Sequence, residues 1–149
     1  METTGIVRVR VAGILINDDK LLLISHKKDG DVYWLLPGGG VNFGESLEEG
    51  LKREFLEELN IHVQVHDVAL INDSIAPSGE RHIINICFNC SYTGGEYTVG
   101  NEERLQKYDF FSRDDLESIK VYPPVNSHLV KAMDNENENK YIGKIWLDK

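Results

Sequence analysis

Six glutamates fall between Glu45 and Glu58, opposed only by Lys52 and Arg53, so this stretch carries a local charge of −4. Ser46-Leu47-Glu48-Glu49 has the form of a capping box, in which the serine hydroxyl and the glutamate three residues on satisfy helix-end amides reciprocally. A helix is therefore expected from Leu47 to about Leu59. With Glu54 at zero and about 100° per residue, Leu47, Leu51, Phe55 and Leu59 fall at roughly 20°, 60°, 100° and 140°, one apolar stripe. Glu54 and Glu58, at zero and roughly 40°, sit inside or beside that stripe, and Glu57 lies close by at roughly −60°. Like charges three and four apart repel, and more strongly when half-buried, so a purely structural helix gains nothing from the arrangement. Gly50, on the same face at roughly −40°, costs about 1 kcal/mol against alanine and leaves room for a close approach. Three carboxylates and a missing side chain on one edge suit a multivalent cation, and hard oxygen donors suit Mg²⁺ or Mn²⁺. Arg53 can orient the adjacent Glu54, and Gly38-Gly39-Gly40 just upstream offers backbone carbonyls and amides.

Other residue types with chemistry are more dispersed. Arg8, Arg10, His26, Lys27, Arg81 and His82 are strand or strand-end cations able to meet phosphates, although a surface role is the ordinary use of such residues. Tyr33, Trp34, Phe43 and Tyr122 can stack on a base, but aromatic side chains of this kind are expected in the core. Cys87 and Cys90 form a CxxC, yet an odd separation in a strand puts the two thiols on opposite faces. With no second pair, neither zinc nor redox chemistry is expected of them.

The elements that must hold these groups follow from periodicity. Val7 to Ile16 reads as a strand, Asn17 to Lys20 as a hairpin turn and Leu21 to Ile24 as a second strand. Pro37-Gly38-Gly39-Gly40 is expected to end any regular element. Further strands are expected over Ile61 to Ile71, His82 to Tyr92 and Tyr108 to Phe111. Ser112 should cap a short helix, and a last helix should run near Val125 to Met133 with Pro124 in its first turn. The order fits an α/β fold, a mixed sheet with helices packed on it. One domain spans residues 1–133, followed by a polar linker and C-terminal tail over 134–149, where Tyr141 to Leu147 adds a strand or covers a neighbour.

The 149 residues carry a net charge of −9 and 41% hydrophobic residues, a globular balance. Such acidity disfavours non-specific binding to nucleic acid or anionic membrane. A second acidic cluster, Asn101 to Glu117, carries −3, so most of the charge is local. The chain starts without a basic run followed by an apolar stretch, and two cysteines make no disulfide scaffold. The expectation is a cytoplasmic protein with no membrane segment.

The glutamate-rich segment resembles the signature of Nudix hydrolases. That box is Gly, five residues, Glu, seven residues, Arg-Glu, a bulky apolar residue, any residue, Glu-Glu, any residue, Gly and an apolar residue. Here it reads Gly39, Glu45, Arg53-Glu54, Phe55, Leu56, Glu57-Glu58, Leu59, Asn60, Ile61. Two positions depart: Phe55 stands for an aliphatic residue, and Asn60 for the glycine that ends the helix. Asparagine tolerates a left-handed cap almost as well. The lead-in Trp34-Leu35-Leu36-Pro37-Gly38-Gly39 is similar to the family's too, and the element order is that of its α/β/α sandwich.

The resemblance implies hydrolysis of a pyrophosphate bond in a nucleoside diphosphate linked to another moiety, with Mg²⁺ or Mn²⁺. Glu54, Glu57 and Glu58 would be metal ligands, with the Gly39 carbonyl a further one. Arg53, Glu54 and Glu58 would carry catalysis, Arg53 orienting a glutamate and one glutamate also serving as base for water. Glu45 would brace the loop against the helix. A further acid is expected before a later strand, where Glu102 and Glu103 stand, and Glu103 is favoured. Arg10, His26, Lys27 and Arg81 are the candidate substrate contacts. Pro77 lies at about the spacing of an ADP-ribose pyrophosphatase marker, although a proline is also ordinary in a loop. ADP-ribose or a related nucleotide sugar is therefore the leading substrate, and a homodimer is compatible with the resemblance. The alternatives are a MutT-like nucleoside triphosphate pyrophosphatase and a nucleotide-sensing module without catalysis.

Overall fold

The computed structural model describes residues 5–100, 105–136 and 139–145. Strands β1 (Arg8–Asn17) and β2 (Lys20–Lys28) form the expected hairpin, with Asp18 and Asp19 both at positive φ in its turn. Next come β3 (Asp31–Leu35), β4 (Gly38–Gly40), helix α1 (Leu47–Leu59), β5 (Ile61–Ile75), β6 (His82–Gly95) and β7 (Leu105–Phe111). Helices α2 (Arg113–Leu116) and α3 (Asn126–Met133) and strand β8 (Tyr141–Lys144) complete the order.

The strands run β3-β2-β1-β6-β5-β8 across a mixed sheet, with β4 also paired to β1 and β7 to β2. β1 is parallel to β6 and antiparallel to β2 and β4, which puts β1 at the centre. Both faces are covered, which explains the unbroken apolar runs in β1 and β2. Val11, Leu15, Leu22 and Ile24 pack with Leu51, Phe55 and Leu59 of α1. Ala12, Ile14, Leu21 and Leu23 pack on the other side with Leu116, Leu129 and Met133. The result is the α/β/α sandwich that the resemblance implied.

Several expectations are corrected. Gly38 to Gly40 does not end regular structure but forms β4, pairing Arg10 with Gly40, Val11 with Gly39 and Ala12 with Gly38. A side chain at Gly38 would collide with the β1 backbone and one at Gly39 with the Glu54 carboxylate of α1. β3 joins the sheet through the register Ile24 to Leu35 and Lys28 to Asp31. β5 continues to Ile75 because Asn72 and Ser74, although poor strand formers, face inward and bond one another. α3 starts at Asn126, one residue after its cap Val125, with Pro124 before the cap rather than in the first turn.

Within the tail, Tyr141–Lys144 adds β8 parallel to β5, with Tyr141 opposite Ile71. Trp146 and Leu147 lie outside the described residues. No described helix is long and apolar enough to cross a membrane.

Candidate active site

Local sequence fixes α1 at both ends. Ser46 accepts from the Glu49 amide and Glu49 accepts from the Ser46 amide, closing the capping box. At the other end Asn60 takes the left-handed conformation, φ 57° and ψ 35°, and donates its amide to the Leu56 carbonyl. Between these caps Leu51, Phe55 and Leu59 are fully buried, so the rotation of the helix, and with it the glutamate edge, is set by the core. Phe55 fills the position that the family gives to an aliphatic residue because Gly13 of β1 lies beneath it, where any side chain would overlap the ring.

Arg53 organises the edge through five hydrogen bonds. Its Nε and Nη2 donate to the two Glu45 oxygens at 2.7 and 2.9 Å. Nη1 donates to Glu54 at 3.0 Å and to Glu57 at 3.1 Å. Nη2 also reaches the Gly40 carbonyl at 3.1 Å. Glu45 in turn accepts from the Asn42 amide at 3.0 Å, so the loop is tied to the helix through one guanidinium. Hydrogen bonding to Arg53 first, then to the Asn42 amide, holds the Glu45 carboxyl down to about 2. The same pairing pushes the Arg53 guanidinium further above its already high range.

Glu54 and Glu58 are the unusual carboxylates. The Glu54 side chain is 14% exposed and lies over Gly39, where a methyl group would collide with its carboxylate. Glu58 is 4% exposed and accepts from the Gly38 amide at 3.0 Å. Glu57 is the exposed member of the three. Gly50 is buried with Glu45 beside its α-carbon, so its missing side chain makes room for the brace.

The donor chemistry fits a hard divalent cation. Three carboxylates share the charge of Arg53 and Glu58 lies beside them, a local sum of −3, and all but Glu57 are largely withdrawn from water, which is costly without a compensating cation. Among the described residues no three acids already converge on one point. Glu102 and Glu103 lie outside the described residues; Gly100, just before them, donates its amide to the Glu58 carbonyl at 2.8 Å.

The candidate substrate contacts are not all brought to this edge. Val11 faces α1, so its neighbour Arg10 projects to the opposite face of the sheet. There it donates to the Leu36 carbonyl at 3.0 Å and lines a small cavity with Asn72, Asn85 and Tyr122. His26 pairs with Tyr33 across β2 and β3, rings edge-to-face at 5.9 Å, and Tyr33 continues to Tyr122 at 5.8 Å. Burial raises the Tyr122 hydroxyl, opposed by the charge of Arg81. Lys27 is exposed near the end of β2, and Arg81 is exposed beside the turn from β5 to β6.

Two buried polar residues escaped sequence reasoning. Asn72 and Asn85 face each other across β5 and β6, and each donates to Ser74 Oγ at 3.0 Å. Their signal was present as polar residues at inward positions of apolar strands, but the inward face was unknown without the register. Trp34 packs as expected, 4.7 Å from the Phe111 ring, whereas Phe43 is fully exposed, contrary to the expectation of core packing. Cys87 and Cys90 lie in the two opposite core layers, and burial pushes both thiols up to about 12.

A family model for the NUDIX domain matches residues 7–133. The chain is 32% identical over 112 residues to a protein from Methanocaldococcus jannaschii named ADP-ribose pyrophosphatase, covering 74% of this chain and 65% of that one. It is 31% identical over 121 residues to the nucleoside triphosphatase NudI of Escherichia coli, covering 73% of this chain and 84% of that one. The chain spans 58% and 49% of two further curated relatives. A NUDIX hydrolase from Nitrosomonas europaea shares the fold at TM-score 0.77 and 19% identity, over 87% of this chain and 90% of that one. With the matched region running from the start of β1 to the end of α3 and enclosing the whole glutamate edge, this chain belongs to the NUDIX family.

Proposed function

We propose that this chain hydrolyses the pyrophosphate bond of a nucleoside diphosphate linked to another moiety, with ADP-ribose or a related nucleotide sugar as substrate. The observation that carries this reading is the single guanidinium holding Glu45, Glu54 and Glu57, beside the buried Glu58. The family generally uses divalent metals and acts on small nucleotides, and Mg²⁺ or Mn²⁺ suits these donors. Glu54, Glu57 and Glu58, the Gly39 carbonyl and Glu103, which lies outside the described residues, would hold the ions. Metal ions held there would supply charge to offset the diphosphate and acidity to the attacking water.

The chain's own residues do the rest. Arg53 keeps Glu54 and Glu57 at fixed separation, so little reorganisation is needed when substrate arrives. Glu45 holds Arg53 and the loop in that pose. Either Glu54 or Glu58 accepts the proton of the attacking water. Arg10, His26, Lys27 and Arg81 remain candidates for the rest of the substrate, although Arg10 faces the far side of the sheet.

The archaeal relative's name and the position of Pro77 support ADP-ribose, although Pro77 also simply occupies a turn closed by Gly79 donating to the Ala76 carbonyl. The name of the Escherichia coli relative favours a second reading, a nucleoside triphosphate pyrophosphatase. A panel of nucleotides with Mg²⁺ and Mn²⁺ separates them. AMP plus ribose 5-phosphate from ADP-ribose is the expected result. Nucleoside monophosphate plus pyrophosphate from a triphosphate, with ADP-ribose intact, selects the second reading. No product from any nucleotide leaves only a sensing module.

A further inference from the structure

We propose that Phe43 contacts substrate, providing the apolar plane on which the nucleotide base stacks while the diphosphate lies along Glu54, Glu57 and Glu58. The inference rests on the nucleotide-hydrolysing reading and adds a specificity-determining residue to it.

Phe43 is 108% exposed, whereas the other exposed large apolar side chains described are only 40–53% exposed and are partly covered by neighbours. An aromatic ring that touches nothing contributes no burial to folding. A ring on a floppy loop would mean little, but this loop is held at several points. Val41 donates to the Val9 carbonyl at 3.1 Å, and Asn42 and Glu45 close a turn through Glu45 N–H to Asn42 O at 3.0 Å. The Glu45 carboxylate takes the Asn42 amide, and Arg53 binds both Glu45 and the Gly40 carbonyl.

The loop from Gly40 to Glu45 thus closes around the guanidinium that also binds Glu54 and Glu57, with Phe43 near its tip. Chain length alone keeps the Phe43 Cα within about 11 Å of Gly40 and about 7 Å of Glu45. The backbone that carries the ring is therefore anchored within about 7 Å of Glu45, which Arg53 links to Glu54 and Glu57, and an aromatic with two side-chain torsions loses little freedom on stacking. A planar, uncharged ring is the ligand chemistry such a surface takes, and the base is the planar part of a nucleotide.

The test compares wild type, Phe43→Ala and Phe43→Trp, all expected to melt at one temperature because the side chain is exposed. Steady-state kinetics on ADP-ribose are measured together with product inhibition by AMP, which carries the base, and by ribose 5-phosphate, which does not. Phe43→Ala is expected to raise KM and the AMP inhibition constant about tenfold with kcat and ribose 5-phosphate inhibition unchanged, and Phe43→Trp to restore both. Unchanged KM in Phe43→Ala overturns the proposal. So does an equal loss of AMP and ribose 5-phosphate inhibition, or a fall in kcat alone, since either marks a role in holding the loop. If wild type hydrolyses no nucleotide, the hydrolase reading itself has failed, and the stacking role falls with it.

Discussion

Arg53 shows how one side chain can decide the use of three others. Its planar fork grips Glu45 with two bonds and still reaches Glu54, Glu57 and the Gly40 carbonyl, a geometry that an ammonium cannot copy. Arg53→Lys is expected to lower kcat at least tenfold with a small change in melting temperature, measured by steady-state assay and thermal unfolding. For Glu58→Gln, the expected outcome is a loss of turnover by orders of magnitude with the circular dichroism spectrum retained; near wild-type turnover would remove Glu58 from the mechanism. Glu45 makes a pH prediction. Its carboxyl is held at about 2 against an ordinary 4.5, so its contribution to stability is complete above pH 4.5 and is lost as pH falls towards 2. Glu45→Gln should flatten that part of the acid-denaturation curve and leave neutral-pH behaviour above the transition parallel to wild type.

At the scale of elements, α1 is specified almost entirely by its own residues. The capping box, the apolar stripe and the left-handed Asn60 were all readable because each is a relation between residues within one turn or two. Asn60→Val is expected to destabilise by about 1–2 kcal/mol through the left-handed backbone, in addition to losing the bond from its amide to the Glu96 carbonyl. Asn60→Gly keeps that backbone and loses only the bond to the Glu96 carbonyl, within about 1 kcal/mol. Urea unfolding of the two variants separates these costs. β4 was not readable in the same way. Three glycines look like an ending when only local propensity is considered, and become a strand because β1 offers partners, with Gly38 close against β1 and Gly39 beneath the Glu54 carboxylate.

In the whole molecule, the two core layers on either side of one sheet set which residues meet. Phe55 on Gly13 joins the site-bearing helix to the central strand, and Phe55→Ala is expected to cost about 3–5 kcal/mol in chemical denaturation. The mixed sheet with packed helices, the position of α1 and the crowding of acids along its edge were legible from residue types and spacing, since amphipathic phase and charge are local properties, whereas the α/β/α sandwich followed from the resemblance to the family. Sequence also placed Cys87 and Cys90 on opposite faces, because alternation along a strand needs no knowledge of the fold. Only tertiary structure decided that Arg10 turns away from the glutamates, that Asn72 and Asn85 meet over Ser74, and that Phe43 stands in solvent rather than in the core. Each of these depends on strand register or loop closure between residues far apart in the chain, and no local pattern encodes which distant backbone a residue will face.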